Sequence, residues 1–323
     1  MLPFFVSFIL LLLAWRFMTF DYKHMWQQVK ESDLRYMSAA GIIFFLINFL
    51  LIWRWRILMK AVDLKAKRLS SMRWFFLGLF FSSSVPFSTV GNDVIRGLGL
   101  SKEVGHKTKI FASIVLDRLS GFVGLVIVAV AAYLFGHGII KLGGVVVIAI
   151  ATLSIISGAI AVLLFSHRIF SFACRAFTVW PKVKEKLMRF HYDIVLLKRK
   201  QKKGWEAIMI SVFAQIVLAI EFYLAAKGMH QNIPLIYFTI FSPIVCVVTS
   251  LPSIAGLGSS QIAWVSLLPL AGVSLETAWG LSFINCAFIF VNGLLGGLFY
   301  VTTLSSGRIQ YPQADGAFKR SSA

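Results

Sequence analysis

Blocks of about twenty consecutive apolar residues constrain this chain more than any other feature. A helix of that length crosses the hydrocarbon core of a bilayer with its backbone N–H and C=O groups satisfied internally. Apolar blocks fall at 2–20, 38–59, 74–90, 110–136, 143–166, 205–227, 235–253, 260–273 and 277–304 of the 323 residues. Only 14% of the residues are charged and the mean hydropathy is +0.81, whereas a soluble domain carries about a quarter charged residues. The pattern predicts an all-α, polytopic helical membrane protein without a soluble catalytic domain.

Two blocks do not read as simple spans. The segment Phe80–Leu100 places Pro86, Gly91, Asn92, Asp93 and Arg96 directly after a short apolar run, and Thr249–Gln261 does the same with Pro252, Gly256 and Gly258. Helix-terminating residues and small hydroxyls break both. The basic residues indicate the threading. The formal net charge is +19, and Lys and Arg crowd Arg54–Arg73, Arg96–Lys109 and Arg168–Lys203, while 137–142, 228–234 and 271–277 hold almost none. Segments of that kind lie on the cytoplasmic side, against anionic lipid, rather than on nucleic acid. They share one side only if residues 74–95 enter and return. A second hairpin at 235–273 from the opposite side also places the tail Arg308–Arg320 inside. The expectation is about six full spans plus two oppositely oriented re-entrant helical hairpins in one integral domain, residues 1–304, of the cytoplasmic (inner) membrane.

The first block has no basic stretch before it and no small-residue cleavage site after Phe20, so it reads as a retained helix rather than a signal peptide. Within the cytoplasmic segment 167–204, an apolar stripe from Ile169 to Leu197 runs through a Lys- and Arg-rich helix that Pro181 divides. Such a helix lies in the membrane interface or packs on the protein's own cytosolic face. Residues 305–323 read as a short, disordered tail. Trp53, Trp55 and Trp74 sit among basic residues where interfacial anchors are expected.

Ionisable groups inside a bilayer cost roughly 2.5–3.5 kcal/mol each on insertion scales and are functional by default. The candidates are Asp93, Arg96, Asp117, Arg118 and Glu221. Asp93 and Arg96 are three apart and share a helix face. Asp117 shares a face with Lys109 and Ser113, while Arg118 points about 100° away toward another partner. These charges form either ion pairs that lock the hairpin to its neighbour or a partly hydrated cavity for a headgroup. Glu221 falls toward the outer end of its block, where it could reach water. Asn48 reads as a packing hydrogen bond, and Gly293 with Gly297 as a close helix contact.

The three cysteines, Cys174, Cys246 and Cys286, and six scattered histidines form no metal-ligand pattern. No P-loop, HExxH or DxD pattern occurs. No cofactor and no metal are expected, and no catalytic constellation suggests itself.

Three segments resemble one family. The run VPFSTVGNDVIRGLGLSK is similar to the P…GGD…R…LS element of the lysylphosphatidylglycerol synthase transmembrane region, a flippase-like membrane family. VLDRLSGF at 115–122 resembles its [ED]R-L element, and LPSIAGLGSSQIAW at 251–264 its PGGLG-x-x-[EQ] element. The elements come in family order over nearly the whole chain. Asn92 stands where the family has Gly, and Ser260 with Gln261 where Arg-Glu is common. The resemblance implies a lipid flippase or transporter that moves a phospholipid or lipid-linked headgroup between leaflets without ATP hydrolysis. It implies substrate-binding roles for Asp93, Arg96, Asp117, Arg118, Gly256, Gly258 and Gln261. The implied partners are membrane lipids, either anionic or zwitterionic phospholipids or polyprenyl-linked lipids, and a separate lipid-modifying synthase, because little chain follows the last block.

The alternatives are a polyprenyl-phosphate glycosyltransferase using the acidic segment Asp21–Asp33 with Glu31, and a non-transporting partner of a synthase. The charge bias gives a direct test: single cysteines at Lys65 and Lys198 are expected to react with an impermeant thiol reagent from the same side. Labelling from opposite sides would remove the first hairpin.

Overall fold

In the computed structural model, the described residues are 22–84, 88–136, 144–166, 192, 194–195, 200–249 and 259–305. The expected first helix at 2–20, nearly all of the amphipathic stripe and the tail beyond Ser305 lie outside them. Every regular element among the described residues is a helix.

The long helices are α2 (Leu34–Ala61), α5 (Lys107–Gly136), α6 (Gly144–Phe165), α7 (Gln201–Gly228) and α10 (Leu275–Ser305); all five are long and apolar enough to cross a membrane. They are apolar on most faces, and large side chains such as Ile42, Phe135, Ile155 and Leu298 are exposed around the bundle. In water such a surface would be an aggregation patch; in a bilayer it faces acyl chains. The shorter helices are α1 (Tyr22–Lys30), α3 (Arg68–Ser84), α4 (Ser88–Val104), α8 (Leu235–Val248) and α9 (Ser259–Leu267), the last extended by a 3₁₀ turn at Leu268–Ala271.

Contacts between helix ends fix the directions. At the basic end, Lys200 before α7 hydrogen-bonds Asp63 in the loop after α2. That bond is the main cause holding the Asp63 carboxyl below its usual range. Arg73 at the start of α3 pairs with Glu103 at the end of α4, and the Trp74 indole N–H donates to the same carboxylate at 2.9 Å. At the far end, the Asp33 N–H donates to the Gly228 carbonyl at 2.8 Å, and the Thr277 hydroxyl donates to Gln28 at 2.9 Å. Asp33 also caps α2 by accepting the Arg35 N–H.

The chain therefore repeats one unit twice. In the first, α2 runs to the basic end, α3 and α4 form an antiparallel hairpin from that end, and α5 runs away. In the second, α7 runs to the far end, α8 and α9 rise from there and return, and α10 runs back. The units are oppositely oriented. An inverted pair of this kind is a recurrent transporter construction. Each hairpin has its own apolar core: Trp55, Phe75, Leu100 and Ile110 around the first, and Phe222, Phe238, Phe241 and Trp264 around the second. The described ends of both hairpins lie partway along the long helices. Ser83 packs on Gly293, near the middle of α10.

Two expectations change. Trp55 is not an interfacial anchor: it is fully buried, its indole N–H donates to the Ser113 hydroxyl at 3.1 Å, and Arg96 lies over its ring. Glu221 does not reach water but is fully enclosed, in the half of α7 that packs on α8 and, through Phe222 and Trp264, on α9. Asn48 does make the expected packing bond, donating to Asn292 at 3.0 Å. Gly293, Gly296 and Gly297 bring α10 against α3, where a Cβ added to Gly296 would lie 2.6 Å from the Phe76 carbonyl oxygen. Gly296→Leu is expected to lower stability in detergent unfolding by about 1–3 kcal/mol through overpacking. Gly158→Leu on α6, with nothing within 4 Å of its Cβ position, should be close to neutral. Equal effects would place the α3–α10 contact elsewhere.

Candidate functional site

Five charged side chains from three helices form one cluster. Asp117 on α5 accepts from Arg54 Nε at 2.7 Å and from Arg96 Nη2 at 3.1 Å. Asp93 on α4 lies 3.0 Å from Arg96 Nη2 and is held in a two-point contact by Arg118, Nε to Oδ2 at 2.8 Å and Nη2 to Oδ1 at 2.9 Å. Arg54 also donates to the Ser211 hydroxyl of α7 at 3.1 Å. The helix periodicity accounts for the pattern: Arg96 and Asp93 share a face of α4, while Asp117 and Arg118, one residue apart, diverge toward different partners. Arg96 is the most enclosed, 2% exposed, with its guanidinium 4.8 Å from the Trp55 ring centroid and 5.8 Å from that of Phe75. A planar guanidinium suits this stacking and the shared carboxylates.

Three guanidinium groups meet two carboxylates, leaving one positive charge in excess. That excess borders a cavity of about 350 Å³ near mid-height of the bundle, whose wall includes Arg54, Arg118, Ser211, Gln215, Asn48 and Asn292. The end of α3 reaches it through Leu79 and Ser82, and the end of α8 through Cys246 and Thr249. Arg118 is the most open member of the cluster, with a side chain 36% exposed. Asp93, Arg96 and Asp117 sit behind the wall and hold its arginines in place. The cavity thus joins a positive wall, the described ends of α3 and α8 and hydrogen-bonding side chains, a combination that can hold a phosphate or carboxylate.

A sequence profile of the family described as the lysylphosphatidylglycerol synthase TM region matches residues 1–297. The chain belongs to that family. It is similar to the UPF0104 membrane protein PH1989 of Pyrococcus horikoshii, with 22% identity over 307 residues, covering 85% of this chain and 91% of the relative. No solved structure matches the chain. It is a multi-pass membrane protein, in keeping with its family and with the five helices among the described residues that are long and apolar enough to cross a membrane.

The first two family-like elements meet in the ionic cluster: Asp93 and Arg96 from one, Asp117 and Arg118 from the other. Of the third, Gly256 and Gly258 lie outside the described residues. Gln261 is fully buried on α9, accepting the Ser260 hydroxyl at 3.0 Å, away from the cavity wall. Arg54 is the residue that sequence reading missed. It was grouped with the basic end although it falls inside the apolar block 38–59, where a charge is itself a functional sign.

Asp117 carries the cluster, so Asp117→Asn leaves Arg54 and Arg96 facing each other without their shared carboxylate. A loss of about 3–5 kcal/mol in unfolding stability is expected, the range for a buried charge deprived of its partner. Arg118→Gln, at the open edge, should cost clearly less. Equal losses would mean that Asp117 is not the central ligand.

Proposed function

We propose that the protein is a lipid transporter that moves a phosphate-bearing lipid headgroup between the leaflets of the cytoplasmic membrane, with its basic end inside and without nucleotide hydrolysis. The carrying observation is the excess positive charge at the wall of a cavity that the described ends of α3 and α8 reach from opposite ends of the bundle. On this reading both hairpins are re-entrant, and the cavity lies near the bilayer midplane, where irregular backbone is tolerated because it lines a hydrated space. Arg118, with Arg54 beside it, contacts the phosphate. Asp93, Asp117 and Arg96 keep those guanidiniums in register.

A second, apolar space of about 250 Å³ between α6 and α8, lined by Leu153, Ile156, Ile244 and Val248, shares Phe122 with the central cavity. It gives the lipid tails a route that stays in the bilayer while the headgroup passes through the polar space. Anionic, zwitterionic and polyprenyl-linked lipids all carry the required phosphate. The glycosyltransferase alternative loses support from its acidic segment, since Asp33 is occupied as the cap of α2 and Glu31 accepts from the neighbouring Gln27.

The test is reconstitution in liposomes with fluorescent phosphatidylglycerol and a quencher confined to the outside. The wild type is expected to expose inner-leaflet label to the quencher. Arg118→Gln should slow exchange by roughly ten- to a hundredfold, since a hydrogen bond to a charged group is worth about 1.5–3 kcal/mol, and Arg118→Lys should recover part of it. A folded Arg118→Gln variant with wild-type exchange would contradict the assignment.

A further inference from the structure

Glu221 lies on α7 six residues beyond Gln215 of the cavity wall, and among the described residues neither of its carboxyl oxygens has a hydrogen-bond partner. The residue is fully buried. Two more buried polar atoms on the same pair of helices are also unsatisfied, Gln215 Oε1 on α7 and Ser242 Oγ on α8. The charges of α2 and α5 do not serve Glu221: Arg54 and Arg118 pair with Asp117 and Asp93. Tyr133 of α5, Tyr237 of α8 and Cys286 of α10 also lie on helices packed against α7, and the Cys246 thiol of α8 lies near Glu221. Cys246 is itself in the cavity wall and interacts with Gln215.

A buried carboxylate without a partner costs far more than its neutral acid, so this side chain holds a proton in the closed arrangement. An apolar residue would fill the same space without that cost. An acid placed there is accounted for by a change of charge during the working cycle. We infer that Glu221 is a proton-binding site through which lipid movement is coupled to the proton gradient. The acid keeps its proton while α8 and α9 cover it. It releases the proton to water when the α7–α8 contact opens along Gln215 and Cys246 into the cavity.

This inference rests on the transport reading, and the experiment separates the two. Proteoliposomes holding fluorescent phosphatidylglycerol and an internal pH dye are given a pH gradient. The wild type is expected to bias the label between leaflets and to shift the dye. Both responses should vanish in Glu221→Gln and return in part in Glu221→Asp. Lipid exchange in the wild type with no response to the gradient would overturn the coupling and leave transport standing. Gradient responses that persist in Glu221→Gln would overturn the choice of residue. Absence of exchange for every lipid would overturn transport and the coupling with it. Infrared difference spectra of the lipid-embedded wild type after a pH jump read the acid without any transport. A protonated-carboxyl carbonyl band missing from Glu221→Gln is expected, and its absence from the wild type overturns the proposal even if a variant fails to fold.

Discussion

The structure depends on one carboxylate, that of Asp117, shared between Arg54 and Arg96, whose guanidinium lies over the ring of Trp55. In a bilayer, apolar packing gives little net drive for helices to associate, because lipid tails are as apolar as leucine. A short hairpin such as α3–α4 therefore needs specific contacts to stay docked. It has two kinds. The ionic cluster ties α4 to α5 and α2, and the glycines of α10 let α3 approach closely on its other side. Charges enclosed in this way are costly to desolvate and tolerable only when each has a partner. The placement of Arg118 at the cavity edge follows from that requirement, since Asp93 holds it with two contacts.

From this docking follows the cavity. The second unit brings α8 up from the opposite end, so the described ends of both hairpins reach one polar space bordered by Ser82, Thr249, Asn292 and Gln215. Apolar cores lie above and below it, Phe75 and Leu100 on the basic side and Phe238 and Trp264 on the other. Two packed ends around a polar middle would let one hairpin shift without unpacking the other, which the proposed transport needs. The proposed coupling through Glu221 uses the same division, because that acid is buried in the far-side core one step from the polar space.

Much of this was legible in the sequence, for physical reasons that differ by element. Block length marked the long helices because hydrocarbon thickness fixes it. Pro86 falls between the described ends of α3 and α4, whereas Gly91 lies inside α4, and the crowding of Lys and Arg at one end agrees with the contacts of Lys200, Asp63, Arg73 and Glu103. Asp93 and Arg96 were readable as neighbours because their spacing is local. Arg54 was not. Its partners lie 63 and 157 residues away in Asp117 and Ser211, and no local pattern encodes such distances. Trp55 was misread for a related reason: a tryptophan beside arginines looks like an interfacial anchor until the facing helix is known. The burial of Glu221 was not legible, since it depends on which helices pack around that part of α7.

On the proposed function, a lipid phosphate passes through the middle of the bundle on the arginines that Asp93 and Asp117 hold. The most direct measurement is the position of lipid phosphorus around the protein, by cryo-electron microscopy in nanodiscs of phosphatidylglycerol. The expected result is phosphate density inside the central cavity, within hydrogen-bonding reach of Arg118 and Arg54. Phosphate density confined to the two headgroup planes, with the cavity filled by water or side chains in every class, would contradict it.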